Sequence, residues 1–154
     1  MPGKYAGFLM SDNYQINFTQ ILDEFKSGDK SKAFNKQENY LKNNPNDNVA
    51  RFNFAIMCME TNKDDLAIKN YKQVIRNDKS HWEARFNLYI MYLDKKLYKH
   101  AHQYVNEVLE IKKNFQPAQR DMALILNYLQ KPDEAFGYIV SALKQNQNDH
   151  IALN

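Results

Sequence analysis

Residues 50–57 read ARFNFAIM, and 34 residues further on residues 84–91 read ARFNLYIM. A recurrence at this step constrains folding more than any overall property of the chain. Each period must be one supersecondary unit that buries its apolar face against the next. The phase runs through the whole sequence: Ala33, Ala67, Ala101 and Ala135 are each 34 apart, as are Ala50, Ala84, Ala118 and Ala152. Leu41, Ile75, Leu109 and Leu143 keep the same step. Within a period, Phe86, Leu88, Tyr89, Tyr92 and Leu93, then Tyr98, Tyr104, Val105, Val108 and Leu109, fall at three- and four-residue spacings, which predicts two amphipathic helices. Polar segments SGDKS (27–31), TNKDD (61–65), LDKKL (93–97) and LQKPD (129–133) are the turns within pairs. NNPND (43–47), RNDKS (76–80) and KKNFQP (112–117) separate one pair from the next. Pro45, Pro117 and Pro132 all fall where a helix has ended or begins.

These residues resemble the tetratricopeptide repeat (TPR) family, whose unit is a 34-residue helix-turn-helix. Ala33, Ala67, Ala101 and Ala135 match the small position opening the second helix, Ala55 and Ala123 the small position of the first, Gly28 the turn glycine and Pro45 the closing proline. Tyr89 departs from the small position in the third repeat, and Phe18, Ile21, Leu22 and Phe25 of the first run about one residue out of register. The resemblance implies an all-α fold, an α-α superhelix: a right-handed solenoid of antiparallel helix pairs. Residues 1–13 are expected to form an N-terminal extension, with Met10 a second potential start and the first nine residues then vector-derived. Repeats are expected at about 14–47, 48–81, 82–115 and 116–149, and residues 150–154 as the start of a further, truncated repeat, since Ala152 is in phase with Ala118. Such an end leaves Ile139, Leu143 and Leu153 unpartnered, favouring a homodimer through the C-terminal repeat.

The residues offer no catalytic constellation. His100 and His102, two apart on a helix, point about 200° away from each other and cannot share a metal. His81 and His150 are read as solvated, and Cys58, on the core side of its helix, as a buried structural thiol. Asp64, Asp65, Asp133 and Glu134 open second helices, where negative charge suits the helix dipole. There is no glycine-rich phosphate loop, and neither a cofactor nor a bound metal is expected. A net charge of +3 is spread thinly and forms no basic stripe, so nucleic acid is not an expected partner. No apolar run is long enough to span a membrane. The lone cysteine and the absence of a signal-peptide pattern point to a cytoplasmic location.

Function is therefore expected in binding. In the family, the first helices of the pairs line a concave groove, and the resemblance implies that this groove presents Phe52, Asn53, Ile56 and Met59 from the second repeat. The third repeat would add Phe86, Asn87, Ile90 and Leu93, the fourth Arg120, Asp121 and Leu124, and the first Phe18 and Leu22. A carboxamide carries a donor and an acceptor at one end, so Asn53 and Asn87 can bond both polar groups of a backbone unit. The family's clamp for acidic C-terminal tails is missing, with Phe18, Leu22, Glu83 and Asn87 at its positions. The expected function is a non-catalytic scaffold or adaptor holding a peptide segment of a partner protein. The alternatives are the N-terminal recognition arm of a larger transferase-type enzyme and a small cytosolic chaperone.

Overall fold

Helices of 13 and 14 residues alternate along most of the chain. The computed structural model describes residues 5–10 and 15–152, with helical side chains placed from 18 to 148. Among these residues there are eight α-helices and no strand: α1 Gln15–Ser27, α2 Lys30–Asn43, α3 Asn48–Glu60, α4 Asp64–Asn77, α5 Trp82–Asp94, α6 Tyr98–Ile111, α7 Gln116–Tyr128 and α8 Pro132–Ala152. The fold is all-α. Second helices begin at residues 30, 64, 98 and 132, in the phase set by the alanines.

Each alanine of the leading series is shut away from solvent, with Ala33, Ala67 and Ala101 at 0% exposure and Ala135 at 1%. Helices α1 and α2, α3 and α4, and α7 and α8 pack as pairs. A methyl group there lets two backbones approach where a longer side chain would wedge them apart. Helix α5 joins α6 through Tyr92, whose ring stacks on His100 at 5.0 Å and on Tyr104 at 5.8 Å, and through the Arg85 Nε to Glu107 Oε2 contact of 2.9 Å.

The turn within each pair is one device used four times. Within it stands a residue with positive φ: Gly28 (110°), Asn62 (59°), Lys96 (58°) and Gln130 (59°). These residues are 34 apart. The following amide donates back across the turn, from Lys63 to the Cys58 carbonyl, Leu97 to Tyr92 and Lys131 to Leu126, each at 2.8 Å, and from Asp29 to Glu24 at 3.2 Å. Together with the Asn62, Lys96 and Gln130 amides, which donate to the Met59, Leu93 and Asn127 carbonyls, this is the Schellman cap that satisfies the last carbonyls of a helix. Three of the four positions use a side-chain-bearing residue where glycine is the unstrained choice.

Helix starts are capped less uniformly. Asp29 accepts from the Lys32 amide and Asp47 from the Ala50 amide. His81, expected in solvent, instead accepts the Ala84 amide at Nδ1 (3.2 Å), lies 5.0 Å from the Phe52 ring and keeps 10% side-chain exposure. Neutral imidazole can cap a helix as aspartate does, and a ring beside it replaces the water. The far end of the chain also departs from the repeat phase. Helix α8 runs 21 residues without interruption through Ala152, across residues 150–152 that the phase assigns to a new helix. The stretch Gln145–Asp149 contains no proline or glycine, and asparagine or aspartate costs a helix only about 0.7 kcal/mol at most. Gln145 Nε2 donates to the Asn114 carbonyl and Gln116 Nε2 to Asn146 Oδ1, tying the extended helix to the start of α7.

By internal contacts the chain divides into two compact units, Met1–Ala84 and Arg85–Asn154. The first holds α1 to α4 and the start of α5; the second holds the rest of α5 and α6 to α8.

Candidate functional site

Helix α3 is buried on every side. Ala50 and every residue from Phe52 to Cys58 are buried, because three different structures surround the helix. Successive residues point about 100° apart, so Phe52, Asn53 and Phe54 face three directions. Phe54 meets Phe34 of α2 at 4.9 Å, and Phe52 meets Tyr71 of α4 at 5.7 Å. Asn53 meets neither. It faces residues 5–10, a segment without regular secondary structure that precedes the repeats.

The Asn53 carboxamide holds one residue of that segment by both of its backbone groups. The Leu9 amide donates to Asn53 Oδ1 at 2.8 Å, and Asn53 Nδ2 donates to the Leu9 carbonyl at 2.7 Å. Asn53 itself has no exposed surface, and both ends of its amide are satisfied by the backbone of one residue. Two further anchors fix the segment. The Phe8 ring lies 5.3 Å from Phe18 and 6.3 Å from Phe25, both on α1, and the Tyr5 hydroxyl donates to the Glu60 carboxylate at the end of α3. Burial, with help from that carboxylate, pushes the Tyr5 phenol above its usual range, so it stays a donor. From Leu9 at Asn53 to Tyr5 at Glu60 the segment runs antiparallel to α3, and α1 flanks it.

The other residues of the expected binding face have varied settings. Phe52 is fully buried between Tyr71 and His81, and Ile56 is fully buried as well, while Met59 is half-buried. In the second unit Phe86 packs on Tyr89 at 5.0 Å and on Phe115 at 5.6 Å. Phe52 with His81 and Phe86 with Phe115 are the same contact one repeat apart: a first-helix ring closed over by the residue that follows the second helix. These rings pack within their repeat. Asn87 is as buried as Asn53, so neither is the exposed amide that a bare groove would present. Ile90 and Leu93 are half-buried, and Arg120 and Leu124 are exposed. Asp121 Oδ2 accepts the Tyr89 hydroxyl at 2.8 Å, and burial, followed by that carboxylate's charge, pushes the Tyr89 phenol up.

Sequence reasoning left out Tyr5, Phe8, Leu9 and Glu60. The signal was present: YAGFLM at 5–10 is an apolar hexapeptide with two aromatics, ahead of the first repeat. It carries no helical period, and a search by periodicity passes over it. Cys58 is fully buried, and burial pushes its thiol up to about 12, the setting of a packing residue rather than a nucleophile. No group of three or more metal-ligating side chains occurs among the described residues. None of their helices is long and apolar enough to cross a membrane.

Helix pairs in series, closed by the same turn, are the architecture of a TPR-like helical solenoid. Comparison with solved structures gives that fold directly, in the TPR-like protein MamA. One MamA crystal structure aligns with a TM-score of 0.74 at 16% identity, covering 84% of this chain and 71% of that one. A second aligns at 0.75 and 16%, covering 84% and 76%, and the AMB-1 form at 0.73 and 16%, covering 83% and 70%. No family model and no curated protein matches the chain. At such identity the likeness concerns the fold alone.

Proposed function

We propose that the protein is a protein-interaction scaffold whose face lined by α1 and α3 holds a segment of a partner chain. The observation that carries this reading is the paired hydrogen bond between the Asn53 carboxamide and the two backbone groups of Leu9. Backbone recognition of this kind fixes the path of a bound segment without specifying its sequence, and flanking apolar surface then selects side chains. Asn87, at the equivalent position one repeat on, is proposed for the same task within the second unit, with Ile90 and Leu93 beside it on α5 and Arg120, Asp121 and Leu124 on α7. The likeness to a TPR-like fold supports a scaffold role. No arrangement of nucleophile, base and oxyanion donors among the described residues supports a catalytic one.

Peptides selected on the full chain from a displayed library test the reading. Asn53→Ala removes two hydrogen bonds of about 0.5 to 1.5 kcal/mol each, so in a Leu9→Pro background, where the chain's own segment no longer donates to Asn53, affinity for the selected peptides should fall roughly 5- to 150-fold. Circular dichroism must show the variant folded. Peptides that bind the folded Leu9→Pro/Asn53→Ala chain as tightly as Leu9→Pro alone would move the site off this face.

A further inference from the structure

We propose that residues 5–10 are a tethered ligand of the α1/α3 face, so that a partner's segment must displace them, and that they display what the face prefers: a non-helical segment with the pattern Tyr-X-X-Phe-Leu. This deepens the scaffold reading above and rests on it. Three independent contacts support it. The backbone of Leu9 is held at both polar groups by a fully buried amide of α3, the Phe8 ring sits against Phe18 and Phe25 of α1, and the Tyr5 hydroxyl reaches Glu60. None of them is a contact between helices of the array. Between the anchors, Gly7 is exposed, and a side chain added there would meet nothing within 4 Å. A segment that contributes isolated anchors to a finished helical face, rather than a layer of its own, has the form of a bound peptide.

Only residues 11–14 separate Met10 from α1, which begins at Gln15, and a tether this short holds its segment at an effective concentration on the order of 1 mM. For a free peptide whose intrinsic dissociation constant is about 0.1 mM, competition at that level weakens apparent binding about tenfold. The probe is a fluorescently labelled synthetic peptide of sequence YAGFLM, titrated into the full chain and into two variants altered only within residues 5–10. Leu9→Pro removes the amide that donates to Asn53, and Phe8→Ala removes the ring from Phe18 and Phe25. Both variants should bind the peptide about tenfold more tightly than the parent chain, and adding Asn53→Ala to Leu9→Pro should abolish the gain. Equal affinity for the parent and both variants would overturn the tethered-ligand proposal while leaving the face a peptide site. Binding to none of the three would overturn the scaffold reading with it. A parent chain that sediments as a dimer, dissociated by Leu9→Pro, would show the segment seated on a second copy and overturn its action within one chain.

Discussion

The turn residues 28, 62, 96 and 130 make a test of opposite signs within one chain. Lys96 and Gln130 hold φ near 58° and 59° with full side chains, and both are exposed. The left-handed conformation costs an L-residue roughly 1 to 2 kcal/mol, against about 0.5 to 1 kcal/mol of extra unfolded-state freedom when glycine is introduced. Lys96→Gly and Gln130→Gly should therefore each stabilise by about 0.5 to 1 kcal/mol, and the pair by about 1 to 2 kcal/mol. For a chain of this size each kcal/mol raises the melting temperature by about 2 to 4 °C. Asn62→Gly should yield only a few tenths, since asparagine tolerates the region. Gly28 stands at φ 110° with open space around its missing Cβ, so Gly28→Ala should destabilise through backbone strain alone, by about 1 to 2 kcal/mol. Thermal unfolding followed by far-ultraviolet circular dichroism reads all four, and exchange of the Leu97 and Lys131 amides reads the turns locally. Destabilisation by Lys96→Gly together with no loss in Gly28→Ala would refute the assignment of strain to these turns.

Ala101→Leu should overpack the α5/α6 crossing and lower the urea midpoint by the equivalent of about 1 to 3 kcal/mol; an unchanged midpoint would mean the crossing has room. Cys58, with its thiol raised from 9.0 to about 12, should resist thiol reagents near pH 8 until the chain unfolds, and fast labelling of the native protein would contradict its burial. By linkage the folded state keeps this proton where the unfolded state loses it, so stability should decline as pH rises above about 9. Phe136, Ile139 and Leu143 leave 66%, 43% and 58% of their surface on the exposed side of α8, so Phe136→Ser with Leu143→Ser should reduce any self-association seen by sedimentation. Association that persists undiminished in that variant would place the contact elsewhere.

The helix pairs were legible because their signal is local and redundant: a small residue at every crossing and a fixed step between crossings. Ala33, Ala67, Ala101 and Ala135, which set the phase, are all buried. Other features depend on what a side chain meets, and the pattern is silent about that. Asn53 was readable as an amide able to hold a backbone, but not as one holding Leu9. Phe52 and Phe86 repeat faithfully, and repetition alone cannot tell a ring kept for packing from a ring kept for a ligand. Their partners at 81 and 115 share the same spacing, a coincidence the sequence displays once one knows to look for it. The continuation of α8 through residues 150–152 was illegible for a different reason. The repeat phase predicts a break there, while local propensity permits a helix, and nothing in QNQND enforces the break.

The recurring turn also bears on how such a chain can change its length. Because residues 62, 96 and 130 share one backbone geometry and the same closing hydrogen bonds, a chain that passed from residue 62 directly to residue 97 would meet an unaltered turn. Residue 62 would simply stand in for residue 96. A gene carrying these repeats can therefore misalign by one period during recombination and still encode well-formed junctions, gaining or losing a whole helix pair at a time. Any gain or loss that is not a multiple of 34 residues would put the left-handed position, and the helix ends it closes, out of step.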